Sequence, residues 1–462
     1  MRRSETENMG ISLVVGIGLG AAAWLVYAAL VLLDLSTPQA RFDSQRYHIE
    51  VIRDFAATWP RADVSDYLSA TTPGYHWVMA GVWQLTASVT VLELLTSALA
   101  ATIVGLAGAW SVRLVGAAWA CVAALPLAAS PYLLNAALSV LPDNAGWLLV
   151  LVVLMLSLSG PSGRVWVVLG AAMLGLVLVR QSHVWAAGVI VACGWLGREG
   201  RLLPVRGRAR TRLRGLGAAL VSVVPAIVVL GIFVWVWGGL APPTFTGRGD
   251  GEHPDVSMVL SPVAPACILL LIGLYGPFWS GWLWPGICAE WGRSWRRVAV
   301  FAVGGLLVGL GLSLLGDSTA SPEAGRTGGY WRLIAAGPVL AERYSLVLIP
   351  LTCVGGAVVG LCLAAMPPSR RWLMLMILSG FAAAQVVNAN TWQRYYEPMV
   401  LMFLAIAAVL AVSEREAGDE QASEVGVGAR PVGLVRAAQV LGPSALAGIL
   451  LVLALMRLGP PG

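Results

Sequence analysis

The sequence predicts an all-α polytopic membrane protein, a single integral membrane domain over residues 1–462. We expect about 12 to 14 transmembrane helices and a large first outer loop that carries juxtamembrane helices. Hydrophobic residues make up 58% of the chain and charged residues only 12%, against about 25% charged in soluble proteins. The mean hydropathy is +0.78. Apolar runs of this length must be helices in lipid, because a helix satisfies its own backbone polar groups.

Apolar runs recur along the whole chain. The first is too long for the core of a signal peptide and lacks a small-residue cleavage site, so we expect a retained first span. The 20 tryptophans suit spans that are anchored at both membrane interfaces. The candidate spans are 11–33, 76–92, 94–112, 114–130, 143–160, 164–180, 184–197, 215–238, 257–275, 298–315, 344–366, 372–389, 398–413 and 434–457.

The arginines set the orientation. The 198–214 loop carries seven arginines and is predicted to be cytoplasmic, together with 292–297, 369–371 and a linker at 414–433. The outer face then receives the 34–75 loop, 241–256, the 316–333 loop and 388–397. When the spans are counted back from the 198–214 loop, the three short segments in 76–130 place the 34–75 loop on the wrong side of the membrane. One of them must therefore be interfacial or re-entrant, and 76–92 is the first choice. That topology stays open.

Every basic side chain is arginine, with no lysine in the sequence, which suggests a GC-rich bacterial genome and hence the bacterial inner membrane. The basic excess is a topology signal and predicts no nucleic-acid partner, because no stripe of aromatic residues accompanies it. The six cysteines lie in or beside apolar runs without metal-ligand spacing, so we expect no disulfide and no zinc site.

The first outer loop carries a predicted amphipathic helix from Ser44 to Trp59. Its apolar positions Tyr47, Val51, Phe55 and Trp59 follow i, i+4 spacing, which favours a helix lying on the bilayer surface. Pro60 ends this helix. The segment Thr71-Thr72-Pro73-Gly74 then forms a rigid turn into the next helix, which begins near Tyr75.

Two polar residues of this loop are candidates for chemistry. Asp43 stands immediately before the predicted helix, where a carboxylate sheltered by apolar walls can act as a general base on a hydroxyl. It can equally be the N-cap of that helix, and the two roles are compatible. His48 can orient a phosphate or a sugar hydroxyl, or it is a structural residue.

Arg180-Gln181-Ser182-His183 closes an otherwise uncharged apolar run. An arginine at such a place is costly unless it faces an anion or water, and its planar guanidinium suits a phosphate. Snorkelling to the nearby interface is the alternative. Asp143, at the start of the 143–160 span, is explained by helix capping, with a functional role as the minority interpretation.

The late outer segments mix arginine with aromatic side chains. In the 316–333 loop these include Arg332, and in the segment before the 398–413 span they are Arg394 and Tyr395. Such mixtures anchor spans at the interface or stack against sugar rings. Together the outer polar residues match the needs of a lipid-linked sugar phosphate: arginines for phosphate, an apolar groove for lipid, and a carboxylate base.

The order of these motifs resembles the dolichyl-phosphate-glucose α-1,2-glucosyltransferase family, which belongs to the GT-C glycosyltransferases. The resemblance is carried by Asp43, Tyr47-His48, Trp59, Asp66 and Thr71-Thr72-Pro73-Gly74-Tyr75, then by Arg180-Gln181-Ser182 with Trp185, and by Arg394-Tyr395-Tyr396. The chain departs from the family pattern in having Asp43-Ser44 for an acidic pair and a single proline at Pro73.

The resemblance implies a GT-C-like fold and a hexosyl transfer from a polyprenyl-phosphate-sugar donor to a hydroxyl of a glycan or lipid-linked acceptor on the outer face. Transfer proceeds with inversion and Asp43 as the base. It also implies roles for the other matched residues. The phosphate would be held by Arg180, Gln181, Arg394 and Arg332, and the pocket would be shaped by Tyr47, His48, Asp66, Thr71, Thr72, Tyr75, His183 and Tyr395.

No cofactor is expected, and metal-independent chemistry is implied, although Asp63 and Asp66 would share one face if that short stretch were helical. A transporter or lipid flippase is the alternative that is not an enzyme; many transporters, however, repeat Gly/Pro-broken spans in two halves, and this chain does not. An O-antigen ligase or polymerase is the other alternative, but such enzymes place their large polar loop late in the chain. The sugar, the acceptor and the lipid length stay open.

Overall fold

The computed structural model describes residues 5–160, 162–197, 209–246, 260–320, 326, 328–366, 368–387, 391–422 and 432–459. Within these residues it contains 19 α-helices and one two-stranded antiparallel sheet, which confirms the all-α class. Most of the basic loop predicted at 198–214, part of the 316–333 loop and residues 423–431 of the predicted 414–433 linker lie outside the described residues.

Six helical segments of the described residues are long and apolar enough to cross a membrane, and a pair of helices bent by 71° would make a seventh. Three shorter apolar helices accompany them. This is fewer than the 12 to 14 spans predicted, because several apolar runs fold as helices below full spanning length. The segments that qualify are Met9–Leu32, Val89–Val115, Ala209–Trp237, Ala264–Leu314, Leu348–Ala365 and Gly433–Leu455.

The candidate span 76–92 does not form one helix. A helix ends at Thr86, Ala87 takes a left-handed conformation with φ of 47°, and the next helix begins at Val89. The first of these two helices has 13 residues, short of the ~20 needed to cross the hydrocarbon. The second extends well beyond the predicted 94–112 span.

The chain divides into two compact units. We call residues 16–107, 128–257 and 451–462 the first unit, and residues 1–15, 108–127 and 258–450 the second unit. Four helices contribute residues to both: α1 (Glu5–Leu32), α5 (Val89–Val115) and, with their last residues, α6 (Ala117–Ala128) and α19 (Val432–Leu455). The other helices of the first unit are α2 (Pro38–Ser44), α3 (Glu50–Thr58), α4 (Gly74–Thr86), α7 (Pro131–Ala137), α8 (Asp143–Leu158), α9 (Gly163–Val179), α10 (Ala186–Leu196), α11 (Ala209–Trp237) and α12 (Pro243–Thr246).

The second unit contains the remaining elements. A two-stranded hairpin pairs Val339 with Ser345 and Leu340 with Tyr344. Short 3₁₀ turns follow α13 and precede α18. Its elements are α6 (Ala117–Ala128), α13 (Ala264–Tyr275), α14 (Ser280–Leu314), α15 (Tyr330–Ala335), β1 (Val339–Leu340), β2 (Tyr344–Ser345), α16 (Leu348–Ala365), α17 (Pro368–Val386), α18 (Glu397–Ala422) and α19 (Val432–Leu455).

Small residues let the long helices of each unit approach closely. In the first unit a Cβ on Gly194 of α10 would lie 2.7 Å from the carbonyl oxygen of Gly215 in α11. In the second unit a Cβ on Gly305 of α14 would overlap the carbonyl oxygen of Gly356 in α16. Helices without a hydrophobic driving force between them associate through such small-residue contacts. Glycine at these positions is therefore a packing requirement.

Candidate functional site

Asp43 lies inside a helix, and its predicted role as N-cap of a helix at Ser44 is wrong. The helix begins earlier, where the Thr37 side chain accepts a hydrogen bond from the Ala40 N–H and Pro38 occupies the first turn. Asp43 is 8% exposed, and its Oδ1 accepts a hydrogen bond of 2.8 Å from Gln39 Nε2. The structure thus holds a buried carboxylate in the helix predicted to lie on the bilayer surface, which we call the surface helix. The prediction that its apolar face lies in the headgroup region is wrong for Val51 and Phe55, which are buried in a hydrophobic core cluster of the protein.

The surface helix changes its winding directly after Asp43. Residues Gln45–Ile49 form a π-helical turn between α2 and α3, so the helix runs from Pro38 to Thr58 rather than from Ser44 to Trp59. Single π turns inside α-helices are frequent at functional sites, because the inserted residue redirects the side chains around it. The Ser44 hydroxyl accepts from the Val140 N–H at 3.1 Å, which ties this turn to the segment before α8.

His48 pairs with a second histidine. Its Nδ1 lies 2.9 Å from Nε2 of His76, and the two rings stack with centroids 5.1 Å apart. Both side chains are buried, His76 completely. One ring must donate and the other accept, so the pair joins the surface helix to α4. Tyr47 makes edge contacts with Phe42 and Phe245, at centroid distances of 6.0 and 5.9 Å.

The Thr71-Thr72-Pro73-Gly74 turn docks against the end of α9. The Thr72 N–H donates to Gln181 Oε1 at 3.0 Å, and the Thr72 hydroxyl donates to the Val177 carbonyl at 2.6 Å. The Gln181 amide also donates to the carbonyls of Ala70, at 2.5 Å, and Leu240, at 2.8 Å. Gly74 permits the contact, because a Cβ there would lie 2.6 Å from the Leu178 carbonyl oxygen. Two motifs 109 residues apart thus form one structure.

Three further predicted pocket residues have structural partners in the first unit. The Thr71 carbonyl accepts from the Tyr67 hydroxyl at 2.6 Å. The Tyr75 and Thr96 hydroxyls lie 2.9 Å apart. The Asp66 carboxylate accepts from the Thr244 N–H at 2.8 Å and from its hydroxyl at 2.5 Å, which holds α12 against the segment between α3 and α4.

Asp63 and Asp66 do not share a ligand position. Asp63 caps its own turn through the Ser65 N–H and hydroxyl, and these hydrogen bonds lower the pKa of its carboxyl. Asp66 is bound to Thr244. Across the described residues no group of three His, Cys, Asp or Glu side chains has the arrangement to hold a metal ion.

Arg180 forms an ion pair that the sequence did not predict. Its Nη1 lies 2.6 Å from Oδ1 of Asp143, and the two side chains are only 14% and 17% exposed. His183, 4% exposed, packs against Trp147 with ring centroids 4.6 Å apart and the ring planes tilted by 57°. Neither ring nitrogen of His183 has a hydrogen-bond partner among the described residues. Burial, and then the positive charge of Arg180, lower the pKa of His183 to about 3, so this histidine is neutral near pH 7.

The late candidate residues belong to the second unit. The Arg394 guanidinium carbon lies 4.3 Å from the Trp392 ring centroid and 5.1 Å from that of Tyr395, and Nη2 donates to the Tyr395 hydroxyl at 3.2 Å. Arg332 is exposed on α15. Tyr330 and Trp331 donate to the Thr391 carbonyl at 2.5 and 2.8 Å, which fixes the segment before α18.

The first unit therefore gathers most of the predicted residues. The Thr71–Gly74 turn, the end of α9 and the start of α8 are joined by hydrogen bonds and an ion pair, and Asp43 and His48 lie on the helix that contacts α4 and the segment before α8. Sequence reasoning missed Asp143 as the partner of Arg180. The signal available was that both are the sole charges at the ends of adjacent apolar runs, and buried charges require partners.

No family model matches the sequence, and no curated protein matches it. Among solved structures the chain is similar to ArnT from Cupriavidus metallidurans in the apo state, with 16% identity and a TM-score of 0.40 over 88% of this chain and 79% of that one. It is similar also to ArnT from the same organism bound to undecaprenyl phosphate, with 15% identity and a TM-score of 0.37 over 96% and 89% of the two chains. Because both TM-scores lie below 0.5, this likeness establishes neither the family nor the activity of the chain.

Proposed function

We propose that this protein is a GT-C type membrane glycosyltransferase that moves a hexose from a polyprenyl-phosphate-sugar donor to a hydroxyl acceptor. The observation that carries the proposal is the docking of the Thr71–Gly74 turn on Gln181, next in sequence to the Arg180 ion pair. These are the motif elements through which the sequence resembles a family of such enzymes. Their hydrogen bonds make the end of α9 and the first outer loop one rigid platform.

The reaction assigned to this platform needs a base and an anion site. Asp43 takes the proton from the acceptor hydroxyl, whose oxygen attacks the anomeric carbon of the donor. The bond between that carbon and the phosphate oxygen breaks, and the electron pair leaves with the polyprenyl phosphate, which carries the released negative charge. Arg180 stabilises that charge through its guanidinium N–H groups. Attack opposite the leaving group inverts the anomeric configuration.

The burial of Asp43 suits this role. The side chain is largely removed from water, and a general base must be held in a fixed position beside the acceptor hydroxyl. The hydrogen bond from Gln39 holds one carboxylate oxygen in place, and the π turn that follows aims the next side chains of the helix. We assign the site to the extracytoplasmic face of a bacterial inner membrane, and the acceptor to a glycan or lipid-linked molecule.

The test is hexose transfer by the purified full chain in lipid nanodiscs, with a panel of polyprenyl-phosphate hexoses and an assay of the anomeric configuration of the product. Asp43→Asn should reduce the rate by roughly 10²- to 10⁴-fold, the usual contribution of a general base, while donor binding is retained. Asp54→Asn is the matched control, because Asp54 is an exposed carboxylate on the same surface helix, and it should keep the wild-type rate.

Three results would contradict the proposal or one of its parts. Wild-type protein that neither binds nor turns over any donor of the panel would remove the glycosyltransferase assignment and bring the transporter or flippase to first place. Full activity in Asp43→Asn would keep the reaction and move the base to another residue. Retention of configuration would exclude the single-displacement step.

A further inference from the structure

The geometry around Arg180 contains a carboxylate that the proposed reaction does not use. Arg180 ends α9 with an extended backbone, φ −157° and ψ 99°, which turns its side chain out of the helical path. Its guanidinium meets Asp143 Oδ1 at 2.6 Å. Asp143 is the first residue of α8, where the helix macrodipole stabilises a negative charge. The carboxylate is thereby fixed by the start of one helix and the guanidinium by the end of another.

His183 and Trp147 lie beside this ion pair. The His183 ring packs on Trp147, which lies one turn after Asp143 in α8. The charges of Arg180 and Asp143 both act on the pKa of His183. Gly146 allows this packing, because a Cβ there would lie 3.0 Å from the His183 Cδ2. Asp143 thus pairs with Arg180, and His183 packs beside the pair.

We propose that Asp143 is a positioning residue for Arg180, which it holds in the orientation that receives the donor phosphate; the inference rests on the proposed function. A free arginine side chain loses rotamer entropy when it is fixed. A carboxylate that already binds one edge of the guanidinium removes that cost before the substrate arrives. The planar guanidinium then meets a phosphate in a set direction.

Two effects of removing the Asp143 charge have opposite signs, which makes the proposal testable. If orientation were unimportant, deleting the carboxylate would leave Arg180 less neutralised and would strengthen its attraction for any anion. If Asp143 positions Arg180, the same deletion releases the side chain and weakens phosphate recognition. A loss of preference for phosphate is therefore the signature of positioning.

The measurement is the ratio of dissociation constants for undecaprenol and undecaprenyl phosphate, two lipids that differ only in the phosphate, on the full chain in nanodiscs. A merely structural defect weakens the binding of both lipids equally and leaves the ratio of their dissociation constants unchanged. We expect Asp143→Asn and Asp143→Ser to lower the preference for phosphate about tenfold, and Asp143→Glu to keep it within about threefold of wild type. Serine is favourable at helix starts, so it serves if the asparagine variant does not fold.

Two further variants complete the design. Arg180→Gln should lose the same preference, and the double variant Arg180→Gln, Asp143→Asn should lose no more than Arg180→Gln alone, because Asp143 acts through Arg180. Glu290→Gln is the matched control: it breaks another buried carboxylate–arginine pair, that with Arg297 in the second unit. It should leave the phosphate preference at the wild-type value.

The outcomes separate the two proposals. A wild-type preference for phosphate that Asp143→Asn and Asp143→Ser keep or increase overturns the positioning role and leaves the donor assignment standing. A wild-type protein with no phosphate preference, unaltered in Arg180→Gln, overturns the assignment of Arg180 to the donor phosphate and this inference with it. Additive losses in the double variant overturn the coupling between the two residues.

Discussion

Replacing Gln181 by methionine should release the Thr71–Gly74 turn from α9. The side chain is similar in length, so the substitution removes the polar contacts and keeps much of the packing. Three hydrogen bonds are lost: one accepted from the Thr72 N–H, and two donated to the carbonyls of Ala70 and Leu240. At about 1 kcal/mol net for each bond, the local free energy of opening falls by about 3 kcal/mol.

Hydrogen exchange of the Thr72 N–H measures this directly. A loss of about 3 kcal/mol corresponds to exchange about 10²-fold faster, because each 1.4 kcal/mol is a factor of ten. Thr72→Val removes only the hydroxyl bond to Val177 and should accelerate exchange about fivefold at the neighbouring amides. Thr86→Val is the matched control, because its hydroxyl bonds the Val82 carbonyl of its own helix on an exposed surface, and it should leave exchange at Thr72 unchanged.

The result that refutes this reasoning is an exchange rate at Thr72 in Gln181→Met within about threefold of wild type. Such a rate would mean that the turn is held by packing, of which the contact of Gly74 with Leu178 is part, and not by the Gln181 amide. The platform that supports the proposed function would then tolerate the loss of its central residue, and sugar transfer by Gln181→Met should also stay near the wild-type rate.

Two other predictions concern stability. In the folded protein the pKa of His183 is about 3, below its unfolded value of about 6.5. Between these pH values only the unfolded chain binds the proton. The free energy of unfolding therefore falls as the pH drops below about 6.5, by at most about 1.4 kcal/mol per pH unit. Thermal unfolding of His183→Gln should therefore show a flatter decline from pH 6.5 to 5 than wild type, and an equal slope would contradict the assignment. Gly305→Ala should lower the unfolding temperature, because the new Cβ would overlap the Gly356 carbonyl. Gly304→Ala is the control: its Cβ would lie in open space, so this substitution should leave the unfolding temperature unchanged or raise it slightly. Equal effects of the two substitutions would exclude close packing of α14 on α16.

The all-α class could be predicted because hydropathy acts on every residue, whereas helix boundaries depend on local chemistry. The start of the surface helix shows the difference. Thr37-Pro38 is a recognisable start, with a side chain that caps and a proline suited to the first turn, but the apolar spacing drew the predicted boundary to Ser44. Because the helix begins at Pro38, Asp43 is not its N-cap. Of the two roles predicted for Asp43, only that of general base is left.

The pairings within the site could not be predicted from spacing. His48 and His76 are 28 residues apart, and nothing in the spacing of either residue indicates the other as its partner. Arg180 and Asp143 come from the end of one helix and the start of another, and their meeting depends on how α8 packs on α9. Periodicity specifies which face of a helix is apolar, but not which residue of a second helix lies opposite.

Only a few residues of this chain can serve as hydrogen-bond partners for its buried polar side chains. A buried polar group is costly without a hydrogen bond, and in so apolar a sequence the available partners are mostly one another. Thr72, Gln181, Arg180 and Asp143 satisfy that requirement together. His183 does not, because both its ring nitrogens lack a hydrogen-bond partner among the described residues, at a cost of roughly 1–3 kcal/mol for each unsatisfied group. His183 lies beside Arg180, the residue proposed to bind the donor phosphate. A hydrogen bond between His183 and the bound donor would remove this cost. In that case the donor should protect His183→Gln less against thermal unfolding than it protects the wild type.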